Sequence, residues 1–512
     1  MRRLPATLKV PSALMKRPYL NLFWLCALSS PLCAASIGAK SLLEVRLRHD
    51  LASYSSRAGS EVTATLVAPV KSGVDTLLPQ GAVVRGQLVE VKAIGWGVKN
   101  LRASMRIDFD TVQLPDGSSL PIKSRLLAVE NAREHIDQTG KIVGIRATAP
   151  MGHRLAGIAR NVFIWDPLLQ LVIAGSTAAV LTFPEAEIHY PAGTEMLLQL
   201  TEPLEVDTTW TTPLPRVATD GASREQLSNI IRAMTWRATT DNDRKPADIV
   251  NVVFLGEPEW VERAFSAAGW QLADPLTKKS GWMCFRSVAE SRPYPAAPMS
   301  RMLLDEQFAK LSFSKSLSNY SKRHHLRIFS QAERWNGRPL MAAASTQDLG
   351  ITLSFSNRRI IHVVDRNIDN ERAKIVNDLV YTGCVDAAEL VERPWIPAES
   401  KIGTGEMIRT DGSIAVIELN PCRTPLRTLD SSDPVRVSGG IGQKMSRRVF
   451  LTLGNDFTFN NPVYQAGLGL KFLWNRMLGR EDRSQPARTS VVDGQSRSTD
   501  LAPPVPTAAL PD

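Results

Sequence analysis

The chain has 512 residues, 43% of them hydrophobic and 22% charged, with a formal net charge of +10. That length allows two or three domains, each large enough for its own core. The positive charge forms no dense Lys/Arg tract interleaved with aromatic residues, which argues against a nucleic-acid partner.

The first residues have the three parts of a secretory signal. Arg2, Arg3, Lys9, Lys16 and Arg17 form a basic region, residues 20–32 (LNLFWLCALSSPL) are apolar but short for a membrane span, and small residues stand at Cys33 and Ala35. A signal peptide over 1–35 is expected, an uncleaved N-terminal anchor being the alternative. Its removal takes five positive and no negative charges, leaving a formal net charge of +5. The expected location is the periplasm or the outer membrane. Cys26 and Cys33 leave with the signal, so Cys284, Cys384 and Cys422 remain, an odd number for an oxidising compartment. The expected arrangement is a Cys384–Cys422 disulfide, both cysteines lying near the ends of predicted elements, with Cys284 a thiol.

Residues 40–206 read as β-structure. In LLEVRLRH, Leu43, Val45 and Leu47 alternate with Glu44, Arg46 and Arg48. LRASMRIDFDTV alternates more plainly, and it ends at Pro115-Asp116-Gly117, where Pro presets φ and Gly accepts positive φ. GSEVTATLVAPV from Gly59 and GTEMLLQLTEPL from Gly193 echo one another, and a Pro-x-Gly recurs at Pro79 and Pro191. The echo predicts two equivalent edges of one sandwich or barrel. An apolar insertion over 155–183 interrupts this domain. Its run from Leu168 to Phe183 is uncharged and reads as a buried hairpin or core segment; membrane association through it is the alternative.

A Thr/Pro/Ala-rich linker spans 207–222. An α/β domain is expected over 223–394: a helix from Ser223, a buried strand in DIVNVVFLG, and a helix with Pro258 in its first turn and Gly269 after its end. A Pro-rich extended stretch covers 291–300. Strands follow near 323–329, 339–346, 350–355 and 359–364, then a helix with Asp369 as its N-cap. The segment 395–478 reads as a hairpin turning at Asp411-Gly412 followed by apolar residues, and 479–512 as a disordered tail.

The sharpest chemical signal is SKRHHLRIF. On a strand, His324 shares a face with Leu326 and Ile328, while Arg323, His325 and Arg327 share the other. The two imidazoles diverge and cannot ligate one metal together. His324 is therefore expected to be a hydrogen-bonded core histidine. His325 and Arg327 are candidates for acid–base or anion chemistry with Asp348 and Arg372, and His324, His362 and Asp369 are candidate binding residues. The plainer alternative places Asp348 in a turn, Asp369 at a cap and Arg372 in an ordinary ion pair. HExxH, Cys-x-x-Cys, Gly-x-Ser-x-Gly and the phosphate-loop pattern are missing from the sequence, so no metal or nucleotide cofactor is implied.

Taken in order, NVVFLG, AFSAAGW, YPAAPMS, KRHHLRIF, ASTQDLGI and IDNERAKIVNDLVYTG resemble the LssY-like C-terminal domain family over about 248–394. Members of that family are joined to membrane modules resembling lipid phosphatases and small DedA-like proteins, and the domain's own activity is not established. This chain departs from the family in MLLDEQF, which lacks the arginine of an LFGR-like stretch. The Leu-Pro-x-Gly-x-x-x-x-Gly at Leu78 is similar to the strand openings of envelope secretion-scaffold β-domains. The expected fold is thus α+β multidomain: a β-sandwich or barrel-like N-terminal domain followed by an α/β LssY-like domain. The expected role is non-catalytic binding or scaffolding toward an envelope protein, lipid or glycan, with a hydrolase or transferase of envelope lipid or glycan as the alternative.

Overall fold

The computed structural model describes residues 35–422 and residue 470, except 74, 95–101, 131–132, 147–185, 212–213, 291–292, 320–321, 355–358 and 404. The signal segment before residue 35, the insertion 155–183 with the run from Leu168 to Phe183, and nearly all of 423–512 lie outside the described residues.

The N-terminal half is one nine-stranded antiparallel sheet curled nearly into a barrel. Its main strands are β1 (Leu42–Leu47), β2 (Glu61–Leu66), β3 (Val83–Lys92), β4 (Arg102–Gln113), β5 (Ser124–Val129), β6 (Ile142–Arg146) and β7 (Glu195–Leu200), in the order β5-β7-β1-β2-β3-β4-β6. Strand alternation sends Leu43, Val45, Val62, Ala64, Met105, Ile107, Met196 and Leu198 inward to one core. The sheet's ends approach where Ile122 N donates to Asp110 O at 2.8 Å and Ser124 Oγ to Phe109 O at 3.0 Å, bringing β5 beside β4.

The echoed segments are β2 and β7, and they are not edges. They flank β1 on either side, with Val45 opposite both Leu66 and Met196. The two Pro-x-Gly turns match in detail. Gly81 and Gly193 have φ of 90° and 85° and donate to Leu66 O and Leu47 O, and the next residue donates back to the proline carbonyl. The same turn leads into β3 and β7, two strands of one sheet.

The second half is an eleven-stranded sheet built on β8 (Arg237–Thr240), β9 (Pro246–Leu255), β10 (Leu311–Asn319), β11 (Lys322–Trp335), β12 (Arg338–Ser354), β13 (Arg359–Val364), β14 (Val385–Val391) and β15 (Ile414–Leu419). β10, β11, β12 and β9 run antiparallel in that order, β13 lies beside β12, and β15 runs parallel to β9. β9 is buried along nearly its whole length, and its alternate residues serve two cores. Val252 and Phe254 face α2 (Pro258–Ala267) and α4 (Ile368–Tyr381), while Val253 and Leu255 face α1 (Gly221–Ala233). A further helix, α3 (Lys278–Glu290), follows α2.

Three sequence expectations change. The strands expected at 339–346 and 350–355 are one strand, β12, so Asp348 lies within a sheet and not in a turn. α4 is capped by Asn367, whose side chain accepts from Asp369 N at 3.2 Å; Asp369 sits in the first turn with both oxygens taken by other partners. β15, beyond the expected boundary at 394, completes the sheet alongside β9. The disulfide is the expected one, Cys384–Cys422, with residue separation 38. The parallel β9–β15 pairing explains why a boundary drawn from local pattern falls early: it joins residues far apart in sequence.

Candidate functional site

The SKRHHLRIF strand, β11, divides its side chains between two buried polar clusters. On one face, Arg327 Nη1 donates to Asp248 at 3.0 Å, its Nε to Ser300 O at 3.0 Å and its Nη2 to Ser300 Oγ at 3.1 Å. Arg323 donates to the carbonyls of Ala297 and Pro298 and lies 3.5 Å from Asp348. His325 Nε2 is 2.8 Å from Thr346 Oγ1, and its Nδ1 is 3.7 Å from Asp348 Oδ2. Burial pushes the Asp248 carboxyl up despite Arg327 beside it, and burial holds Arg327 below its ordinary value. The Pro-rich segment lies over this face and supplies the carbonyls that the arginines need.

His325, Arg327 and Asp348 therefore come together, as a strand pairing of β11 with β12 dictates: Arg323 is opposite Asp348 and His325 opposite Thr346. They are 7%, 4% and 3% exposed, and their polar groups point at one another and at backbone. Arg372 is elsewhere. It makes a two-pronged pair with Asp411, through contacts of 2.8 and 2.7 Å, and bonds Asp369 and Ser413 O, fastening α4 to the turn before β15. Asp369 belongs to that fastening, accepting also from Thr410 and from Asp411 N. His362 stands in β13 opposite Ile351, and its side chain lies outside the described residues.

The other face holds a larger cluster that reading the sequence did not anticipate. His324 Nδ1 meets Glu371 Oε2 at 2.6 Å, and both are buried. Lys315 is the cross-strand partner of His324 and fully buried. From α4, Lys374 and Asp378 follow Glu371 along one side of the helix, at the spacing that keeps residues on one face. The cluster is closed from the β-domain. Glu195 of β7 accepts from Lys315 at 2.6 Å, from Lys374 at 2.7 Å and from Arg46 of β1 at 3.3 Å, while Glu44 lies 3.0 Å from Lys374. Asp378 also accepts from Trp270 Nε1 at 2.8 Å. The carbonyl of Ala268, just past the end of α2, accepts from both Arg46 and Lys315.

Local pattern explains the oversight. Glu44, Arg46 and Glu195 occupy outward positions of barrel strands, where alternation predicts solvent; they are covered because that outer face is the surface the second domain packs on. Burial opposes the charges of Arg46, Glu195, Lys374 and Asp378, yet the opposite charges win. Lys315 and Lys374 hold the Glu195 carboxyl well below its usual range, and Asp378 is likewise lowered. Lys374 is raised well above its usual value by Asp378, Glu195 and Glu44. Oxygens of Glu44, Glu195 and Asp378 lie within 4.8 Å of one another, a spacing that suits a metal ion. The Lys374 ammonium, 3.0, 2.7 and 2.5 Å from them, takes the place such a cation would fill.

The architecture is that of a β-rich two-part chain in which a near-barrel and a helix-covered sheet share one buried ionic interface. Residues 228–414 match the family described as LssY C-terminus, and that stretch carries the family likeness. No curated protein matches the chain. Among solved structures, ComB10 of the Com Type IV secretion system of Helicobacter pylori is similar at 11% identity, over 33% of this chain and 90% of that one, with a TM-score of 0.18. A likeness at that score carries no argument. Among the described residues no helix is long and apolar enough to cross a membrane, which says nothing of strands.

Proposed function

We propose that this is an exported cell-envelope protein with a non-catalytic binding or scaffold role, its two domains forming one rigid body that presents surfaces to an envelope protein, lipid or glycan. The N-terminal signal pattern supports export to the periplasm or the outer-membrane face. One observation carries the non-catalytic reading: the side chains best suited to chemistry are buried and engaged, His325 with Thr346, Arg327 with Asp248 and Ser300, and Asp348 with Arg323. Acid–base residues of an enzyme must reach a substrate atom.

A second reading, a hydrolase or transferase of envelope lipid or glycan, draws on the order Thr346–His325–Asp348, a hydroxyl against an imidazole backed by a carboxylate. Complementation of a deletion strain separates the two. Under the scaffold reading, Thr346→Val and His325→Gln restore function in proportion to the folded protein that accumulates. A variant that accumulates at the wild-type level and fails to complement would decide for the enzyme.

A further inference from the structure

α3 (Lys278–Glu290) exposes large apolar side chains among its described residues. Among its described residues the buried positions are Ser280 and Ser287, one face at i and i+7. Ser280 is spent on the helix start, where its hydroxyl accepts from Thr277 N and donates to Pro275 O. Trp282 and Met283 are 38% and 39% exposed, and Leu276 and Leu272 just upstream are 65% and 50% exposed. Lys278 and Lys279 are exposed in the same stretch, and Arg286 is half-buried one turn beyond Met283. The acid between Leu272 and Leu276, Asp274, is held back by the Tyr294 hydroxyl and by its own backbone bond to Ala296 O.

From this juxtaposition we infer that the segment 272–286 is a docking surface for an anionic lipid bilayer, with Leu276, Trp282 and Met283 entering the headgroup layer and Lys278 and Lys279 meeting lipid phosphates. An apolar stripe of Leu, Trp and Met bordered by lysines is the composition that lies in a bilayer interface, the ring of a tryptophan resting at headgroup depth. The lysine stems extend the apolar contact while their ammonium groups reach the phosphates. Charge decides against a zwitterionic surface, because the exposed lysines between Leu276 and Trp282, Lys278 and Lys279, outnumber the one exposed acid of the segment, Asp274. The inference deepens the scaffold reading by naming a lipid as partner, and rests on that reading for the compartment.

The test is flotation of the full chain with vesicles of phosphatidylglycerol and, separately, of phosphatidylcholine. Binding to phosphatidylglycerol vesicles is expected, and it should weaken as salt rises from about 50 mM to about 500 mM. In Lys278→Glu/Lys279→Glu it should fall by about 25-fold or more, at about fivefold for each lysine near an anionic surface. Leu276→Ser/Trp282→Ser should lose binding at low salt as well, with circular dichroism showing both variants folded. Absent binding, equal binding to both lipids, or binding unchanged in both variants would overturn the inference; the last would assign it to another segment. None of these failures touches the complementation test, so loss of the lipid partner and loss of the scaffold reading are told apart.

Discussion

At the scale of single residues, the His324–Glu371 pair makes the most specific demand. Burial opposes a charged imidazole, but the Glu371 carboxylate 2.6 Å away, helped by Glu44 and against Lys374, raises His324 above its ordinary value of 6.5. Burial also raises Glu371, offset by His324. His324 holds its proton more tightly folded than unfolded, so its contribution is complete below pH 6.5 and is lost as pH rises through its folded value. Glu195 and Asp378 act in the other direction, being lowered by their lysines, so their contribution is lost as pH falls. Urea midpoints measured from pH 6 to about pH 9 should therefore decline for the wild type, and the decline should flatten in His324→Gln. Parallel curves for the two proteins would show that the pair does not hold the proton.

At the scale of elements, the tightest constraint is the β3–β4 pairing. Gly86 falls where the register shifts, and a Cβ there would lie 2.3 Å from Asp108 O and 2.6 Å from Phe109 Cα, both backbone atoms. Backbone cannot rotate away as a flexible side chain can, so Gly86→Ala must push the strands apart. The cost is expected at about 1–3 kcal/mol or more, read as a lower urea midpoint with an unchanged slope. A variant as stable as the wild type would mean that the two strands are not so close. The alternation of β1, β4 and β9 was legible from the sequence because period-2 patterning directly reports which residues face a core. The continuity of β12 through Asp348-Leu349-Gly350 was not, since a glycine and a charge normally mark a turn, and only pairing with β11 and β13 keeps that strand extended.

At the scale of the whole molecule, the question is what makes two domains one body. Three cations, Arg46, Lys315 and Lys374, meet three carboxylates, Glu44, Glu195 and Asp378, across the interface, and the Gln80 amide adds a bond to Asn377 O at 3.0 Å. Such a network adds little over a well-packed apolar contact, but removing one member leaves buried charge uncompensated. Glu195→Gln leaves Lys315 and Lys374 short of a partner and should cost about 3–5 kcal/mol. Near-ultraviolet and far-ultraviolet unfolding curves should coincide in the wild type and separate in the variant as the halves uncouple. An unchanged midpoint with coincident curves would assign the coupling to packing alone.

The sequence by itself determined the β-patterning of the first half, the helix-covered sheet of the second, and the opposite facing of His324 and His325, because each is a local periodicity of side chains along one element. It also carried an ordered string of motifs lying within 228–414, the stretch that matches the family described as LssY C-terminus. Only the tertiary structure decided that the His325, Arg327 and Asp348 cluster is closed off, that Arg372 serves a different corner, and that Glu195 is the counter-ion of two lysines more than a hundred residues away. The reason is physical: a strand's outward face looks the same in sequence whether it meets water or another domain, and the difference arises only when the two surfaces are brought together and their charges lose solvent.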